Sequence, residues 1–226
     1  MRIINRYPGP ASRKLLALLP FAVLVVTYLV FSDARLAENP NDKMLPGLQS
    51  MGDAIHRLAF EPSKRTGNYL FWDDTSASLK RLGIGIGVSA IIGLIVGVTN
   101  GMLPLFSAAF SPFVRVLSMI PPMAILPILF IAFGVGEFSK YVLIVIGTAP
   151  FIMRELEARV KEIPSEQIIK AQTLDASSWQ IAWRIVLPQV TPRLFDAVRL
   201  SLGAAWLFLI AAEAIAATEG LGYRIF

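Results

Sequence analysis

The side chains in this sequence that could do chemistry are few, and their spacing suits passage and docking rather than a reaction. There is no cysteine and one histidine, His56. That excludes disulfides, iron–sulfur clusters and thiolate zinc sites. A lone histidine is read as a surface residue. No His-Glu-x-x-His occurs, and no Gly-Lys-Ser/Thr of a phosphate-binding loop. Gly83-Ile84-Gly85-Ile86-Gly87 misplaces the third glycine of a dinucleotide loop and lies in an apolar run, so it is read as a packing feature. What remains is one acid, a set of prolines and a pair of tryptophans. Glu213 stands inside an apolar run, where a charge is costly and usually functional. It lines a transport path, pairs with a base on another helix, or sits near the outer end of its span at little cost. Arg199 is about 21 Å away at ~1.5 Å per helical residue, too far to be its partner within the span. Pro121, Pro122 and Pro127, with Met123, fall in another apolar run. Freed carbonyls in lipid need protein or water partners, so this run faces the interior or a water-filled path, or is a kinked packing helix.

The elements that carry these residues are membrane helices. Of the 226 residues, 55% are hydrophobic and 16% charged, against about 25% charged in soluble domains. Mean hydropathy is +0.61. The net charge of +5 comes from basic residues at the ends of apolar runs, where they set membrane orientation, so nucleic acid is not the partner. Residues 1–14 read as a cytoplasmic N-terminus with Arg2, Arg6, Arg13 and Lys14. Residues 15–31 read as a first span rather than a signal peptide, since Ser32-Asp33-Ala34 is a poor cleavage site. Residues 32–78 are a periplasmic segment in which Leu48, Met51, Ile55, Leu58 and Ala59 follow Pro46 at the spacing of an amphipathic surface helix. Tyr69, Phe71 and Trp72 mark re-entry to the interface, and Asp74 or Thr75 is expected to cap the next helix.

Residues 79–226 form the core. A span over 82–98 carries Gly85, Ser89, Gly93, Gly97 and Gly101 four apart, a smooth ridge for close helix packing. A span over 116–135 contains the prolines, with Arg115 at its cytoplasmic entrance. Gly134, Gly136, Glu137 and Ser139 mark a short outer loop. A span over 141–153 is broken by Pro150, and the fifth runs over 200–217. Between the last two lies a cytoplasmic loop, 154–195, rich in Lys and Arg. It reads as helix, turn, helix. Glu166–Leu174 is the first helix. Asp175 stops it, since Asp tolerates the left-handed conformation. Ser177 and Gln180 form a capping box for the second helix, which Pro188 ends. Trp179, Ala182 and Trp183 share one face. They either anchor a protein partner or lie on lipid headgroups.

This loop resembles the "EAA" loop of binding-protein-dependent ABC transporter permeases. Ala171, Thr173, Leu174, Ala176, Ser177, Ile185, Leu187 and Pro188 match that family's pattern, while Ile169 and Asp175 replace its glutamate and glycine. Ser78-Leu79-Lys80-Arg81, Ile120-Pro121-Pro122-Met123-Ala124, Leu126-Pro127, Arg199 with Ala205-Trp206, Ala211-Ala212-Glu213 and Gly220-Leu221-Gly222-Tyr223 resemble the nitrate/sulfonate/taurine-type branch. The resemblance implies an all-α integral membrane protein, a polytopic helical bundle of the type I ABC importer permease kind. Five spans are present and a sixth is expected beyond the C-terminus. It implies a multi-pass protein of the bacterial inner membrane that helps import a small polar solute such as nitrate, a sulfonate or taurine. The implied partners are cytoplasmic ABC ATPase subunits, a second copy of the permease, an external solute-binding protein and lipid. This chain binds no cofactor; ATP and Mg belong to the ATPase. Ala171, Thr173, Leu174, Asp175, Ala176, Ser177, Trp179, Trp183, Ile185, Leu187 and Pro188 are the expected ATPase-coupling residues. Pro121, Pro122, Met123 and Glu213 are the expected pathway residues. The rival classes are an ion-gradient-driven secondary transporter, an intramembrane enzyme and a membrane anchor. The first lacks the usual internal repeat. The second lacks a nucleophile–base pair or metal motif. The third leaves the proline-rich span and docking loop unexplained.

Overall fold

In the computed structural model, residues 8–40, 42, 44–64 and 67–225 are described, and their regular elements are helices. Arg2 and Arg6 of the basic N-terminus lie outside the described residues, as does Phe226. The chain divides into two compact units, Met1–Leu70 and Phe71–Phe226. In the first, α1 spans Pro10–Glu38 and α2 spans Leu48–Ala59. Pro10 stands in the first turn of α1, where its missing N–H costs nothing. The helix runs past the apolar stretch 15–31 because its last turns are tied down locally. The Tyr28 hydroxyl donates to the Pro46 carbonyl at 2.7 Å, and Ser32 donates to the Leu45 carbonyl at 3.0 Å. The α2 helix forms where its periodicity predicts, and it leaves Leu48, Met51 and Ile55 exposed.

The second unit holds α3 (Leu70–Met102), α4 (Pro104–Leu117), α5 (Pro122–Phe133), α6 (Glu137–Lys161), α7 (Ser165–Thr173), α8 (Ser178–Ile181), α9 (Leu187–Ala216) and α10 (Leu221–Ile225). A π-turn over Ala182–Val186 joins α8 to α9, giving a continuous helix Ser178–Ala216 of 39 residues. By length and apolarity α1, α3 and Ser178–Ala216 can each cross a membrane, and α4 with α5 makes a fourth crossing if that bent pair is one span.

The centre of this unit is α6, whose Leu143, Ile144, Ile152 and Leu156 are fully buried. The glycine ridge of α3 lies on it. A Cβ built on Gly85 would stand 2.8 Å from Ile144 Cβ, one on Gly97 would stand 2.8 Å from Leu156 Cβ, and Gly93 and Gly101 face Ile152 and Val160 as closely. Thr148 donates to Ser89 in the middle at 2.8 Å, a pairing 59 positions apart. The glycine pairs share that offset, so α3 and α6 run parallel. Lipid supplies no hydrophobic drive between helices, so packing rests on such small-residue contact. Two parallel helices also require the chain between them to cross back, which assigns a crossing to α4 and α5. Helix α9 runs the other way, with Leu82 and Ile86 near Leu209 and Ala205, and Val98 near Val190 and Ala197.

Four expectations are corrected. The third span is not one kinked helix over 116–135. It is two helices bent by 93°, with Pro121 as N-cap and Pro122 in the first turn of α5. Consecutive prolines disfavour helix before them and suit its start. The fourth span is not broken at Pro150, since α6 continues for 25 residues through it, held on both sides by buried Ile144 and Ile152. Neither Asp74 nor Thr75 caps α3, which starts four to five residues earlier at Leu70. The Thr75 hydroxyl donates back to the Phe71 carbonyl at 2.6 Å instead. Pro188 does not end the second helix of the loop. A proline in a helix clashes with the carbonyl four residues back. The wide π-turn just before it, in which the Leu187 N–H reaches the Ala182 carbonyl, gives the ring room.

Candidate functional site

The expected coupling residues form one continuous feature at the C-terminal ends of α3 and α6. Helix α7 ends at Thr173, and the Ala171 carbonyl accepts from Leu174 and Ala176 N–H groups at 3.1 and 3.0 Å. Asp175 has φ +59°, the left-handed turn expected of it. The Ser177 hydroxyl then accepts from the Gln180 N–H at 3.3 Å, and the Gln180 side chain accepts from the Ser177 N–H at 2.8 Å. This is the reciprocal capping box, and it starts the helix so that Trp179 and Trp183 stand side by side. Their rings meet edge-on at 5.5 Å and 69°, a favoured geometry for aromatic pairs.

These residues divide by burial. Ala171, Ala176, Ile185 and Leu187 pack against the core made by Ile152, Leu156, Val160, Ile181 and Val186. Thr173, Leu174, Asp175, Ser177, Trp179, Trp183 and Pro188 face outward. Leu174 is 76% exposed, Trp179 71% and Trp183 55%. The tryptophans border an apolar cavity of about 400 Å³, closed on its other side by Leu94, Val98 and Met102 of α3.

At the opposite end of the bundle Glu213 is fully buried, and it meets a base from another helix. Arg81 donates from Nη1 to Glu213 Oε1 at 2.8 Å and to the Glu219 carbonyl at 2.9 Å. Its Nε and Nη2 grip the two Glu137 oxygens, of which Oε1 also accepts from Lys140. The Ser78 hydroxyl lies 2.8 and 2.9 Å from the two Glu213 oxygens, and the Gly222 N–H donates to Oε2 at 2.9 Å. Asp74 accepts from Gly220 N–H at 2.8 Å and Arg224 Nε at 2.6 Å, and that carboxylate holds the Arg224 guanidinium above its usual pKa. Gly220, at φ +118°, is required here. A Cβ on it would stand 2.6 Å from Glu213 Oε1 and 2.7 Å from Arg81 Nη1. Of the alternatives open for Glu213, this geometry is the pair with another helix.

Pro121 and Met123 are exposed at the α4–α5 bend, and Pro122 is half-buried. They lie together at that bend, where Pro122 comes close to Gly147 of α6. Sequence reasoning missed Arg81, Asp74, Glu137 and Glu219 as a set. The available signal was Arg81 itself, a charge eleven residues into a spanning helix, which demands a partner. It also missed Glu157, which accepts from Ser111 at 2.8 Å and pairs with Lys161. Among the described residues no group of His, Cys, Asp and Glu is placed to hold a metal.

With this geometry in place, the similarities to known proteins are specific. The family described as "Binding-protein-dependent transport system inner membrane component" matches residues 89–226. The chain is 37% identical over 155 residues to the taurine transport system permease protein TauC of Escherichia coli (strain K12), covering 68% of this chain and 56% of that protein. It is 32% identical over 158 residues to the bicarbonate transport system permease protein CmpB of Synechocystis sp., covering 69% and 56%. It is 30% identical over 205 residues to the nitrate import permease protein NrtB of Leptolyngbya laminosa, covering 91% and 71%. The match thus spans just over half the length of TauC and CmpB. Among solved structures, an inward-facing conformation of the MetNI methionine ABC transporter aligns with a TM-score of 0.61 at 25% identity, over 71% of this chain and 80% of that one.

Proposed function

Since the chain belongs to the family of binding-protein-dependent transport system inner membrane components, we propose that it is the permease subunit of an ATP-driven importer for a small polar solute. The solute class we favour is nitrate, a sulfonate, taurine or a similar oxyanion, by analogy with the relatives. The chain is a multi-pass inner-membrane protein, and the basic N-terminus and loop 154–195 face the cytoplasm. ATP and Mg are bound by partner ATPase subunits, a second permease copy completes the pathway, and an external binding protein delivers the solute.

The observation that carries this reading is the exposed pair Trp179–Trp183, set by the left-handed Asp175 and the Ser177 capping box at the start of a 39-residue helix. Exposed tryptophans are the strongest anchors at protein interfaces. A short helix presented this way fits a groove on an ATPase. Closure of the ATPase pair around ATP moves both coupling segments together, and the spans swing between inward- and outward-facing states. We assign Pro121, Pro122 and Met123 at the α4–α5 bend to the lining of the path. Glu213 holds its end of the bundle together through Arg81. No observation favours ion-gradient coupling, because the buried carboxylates Asp74, Glu157 and Glu213 are each paired with a base.

The test is co-purification of the permease with its partner ATPase, comparing wild type with Trp179→Ala/Trp183→Ala. Both rings are exposed, so the variant folds. The ATPase is expected to co-elute with wild type and to be lost from the variant. Equal co-elution with both removes the coupling assignment, and no co-elution with a folded wild type removes the importer reading.

A further inference from the structure

A small cavity between α4 and α6 has a charge balance that the coupling role does not use. Its volume is about 200 Å³, and Arg115, Arg154, Glu157, Ala158 and Lys161 line it. The acid is already committed. Glu157 pairs with Lys161 and accepts from Ser111 at 2.8 Å, Ser107 at 3.3 Å and Asn100 at 3.3 Å. The two arginines are left over. Arg154 donates to the uncharged Ser118 hydroxyl at 3.1 Å. The Arg115 guanidinium has no hydrogen bond or ion pair among the described residues, although its backbone carbonyl accepts from the Ser118 hydroxyl at 2.8 Å. Two arginines from neighbouring helices therefore line one small space whose single carboxylate, Glu157, is engaged by Lys161. Both arginines are exposed to solvent, so an anion can reach them.

We propose that this cavity is an oxyanion-binding site, in which Arg115 and Arg154 grip a sulfonate, phosphate, nitrate or carboxylate group, while the Ser118 hydroxyl, which accepts from Arg154 and donates to the Arg115 carbonyl, ties the two arginines to one corner of the fold. A guanidinium is a rigid fork of donors matched to planar or tetrahedral oxyanions. The space is about 200 Å³ and open to solvent, which admits a small anion or the headgroup of a larger molecule. Ser118 is the first residue after α4, at the bend that Pro121, Pro122 and Met123 follow. An occupant held by Arg154 would thus be one hydrogen bond away from the hinge of the broken span. Two sources can supply the same chemistry. One is the transported solute as it leaves; the other is an anionic lipid headgroup of the inner leaflet. The inward placement of the site rests on the importer reading; the binding itself does not.

The experiment uses the permease, with its ATPase where that co-purifies, in nanodiscs of phosphatidylcholine alone or with added phosphatidylglycerol. Radiolabelled sulfate is the soluble probe, and lipid retained by the protein is read by native mass spectrometry. The variants are Arg115→Gln/Arg154→Gln and, as control, Arg159→Gln, whose guanidinium is engaged by Glu155 and Glu162 outside the cavity. Saturable sulfate binding in phosphatidylcholine discs, weakened ~10-fold or more in the double variant and unchanged in the control, supports a soluble-anion site. Phosphatidylglycerol that is retained by wild type, competes with sulfate and is lost from the double variant supports the headgroup source. Binding of either ligand undiminished in the double variant overturns the proposal, as does a wild type that binds neither. Sulfate and lipid are read whether or not an ATPase accompanies the permease, so failure of the importer reading and failure of this site are separate results.

Discussion

Replacing Gly97 by alanine asks whether the glycine ridge holds α3 to α6. The added methyl would stand 2.8 Å from Leu156 Cβ and 2.8 Å from the Met153 carbonyl oxygen. Neither atom can rotate away, since a Cβ is fixed by its backbone and the carbonyl belongs to the helix itself. The two helices must separate by several tenths of an ångström, and the register with Gly93 and Gly101 is lost with it. Overpacking of this kind costs about 1–3 kcal/mol net. For a chain of this size that lowers Tm by roughly 2–12 °C. The matched control is Gly87→Ala, on the same helix, where a Cβ meets nothing within 4 Å. There the gain in backbone rigidity leaves stability unchanged or up to about 1 kcal/mol higher. Thermal unfolding in detergent, followed by tryptophan fluorescence, separates the two. A Gly97→Ala protein as stable as wild type would refute the parallel packing of α3 on α6.

Arg81→Met leaves Glu213 buried without its base and is expected to cost about 3–5 kcal/mol, read as a large loss of Tm or of folded yield. Glu219→Ala, which removes a 60% exposed carboxylate from the same arginine, is expected to cost under about 1 kcal/mol in the same assay. Ser177→Ala removes the hydroxyl half of the capping box and is expected to cost about 1 kcal/mol, with hydrogen exchange rising at Gln180 while α9 stays protected. Asp175→Gly relieves a left-handed non-glycine residue and should hold or raise Tm, whereas Asp175→Val should lower it.

Local signals were legible in the sequence, and long-range ones were not. The left-handed Asp175, the Ser177–Gln180 box and the helix after Pro46 each depend on residues within four positions of one another, and each formed as read. The ridge on α3 was legible as a ridge, but nothing in its spacing named α6 as the partner. The Arg81–Glu213 pair joins residues 132 positions apart, beyond any periodicity, and a search for a base on Glu213's own helix found only the distant Arg199. The prolines misled in both directions. Pro150 and Pro188 sit inside continuous helices because buried packing and a π-turn absorb them, while Pro121 and Pro122 turn the chain outright.

The π-turn has a mechanical consequence. Because it lets the chain pass Pro188 without a joint, the tryptophans that face outward and the acid clamped by Arg81 stand at the two ends of one rod. Thirty-four residues separate Trp179 from Glu213, about 50 Å at ~1.5 Å per residue. On the proposed coupling role, a tilt imposed at the tryptophan end would be delivered to the far end as displacement, with the buried surface of α6 as fulcrum. The α4–α5 segment beside it carries a 93° corner and offers no such unbroken rod. Of the two, only the first is built to carry a push from one membrane face to the other.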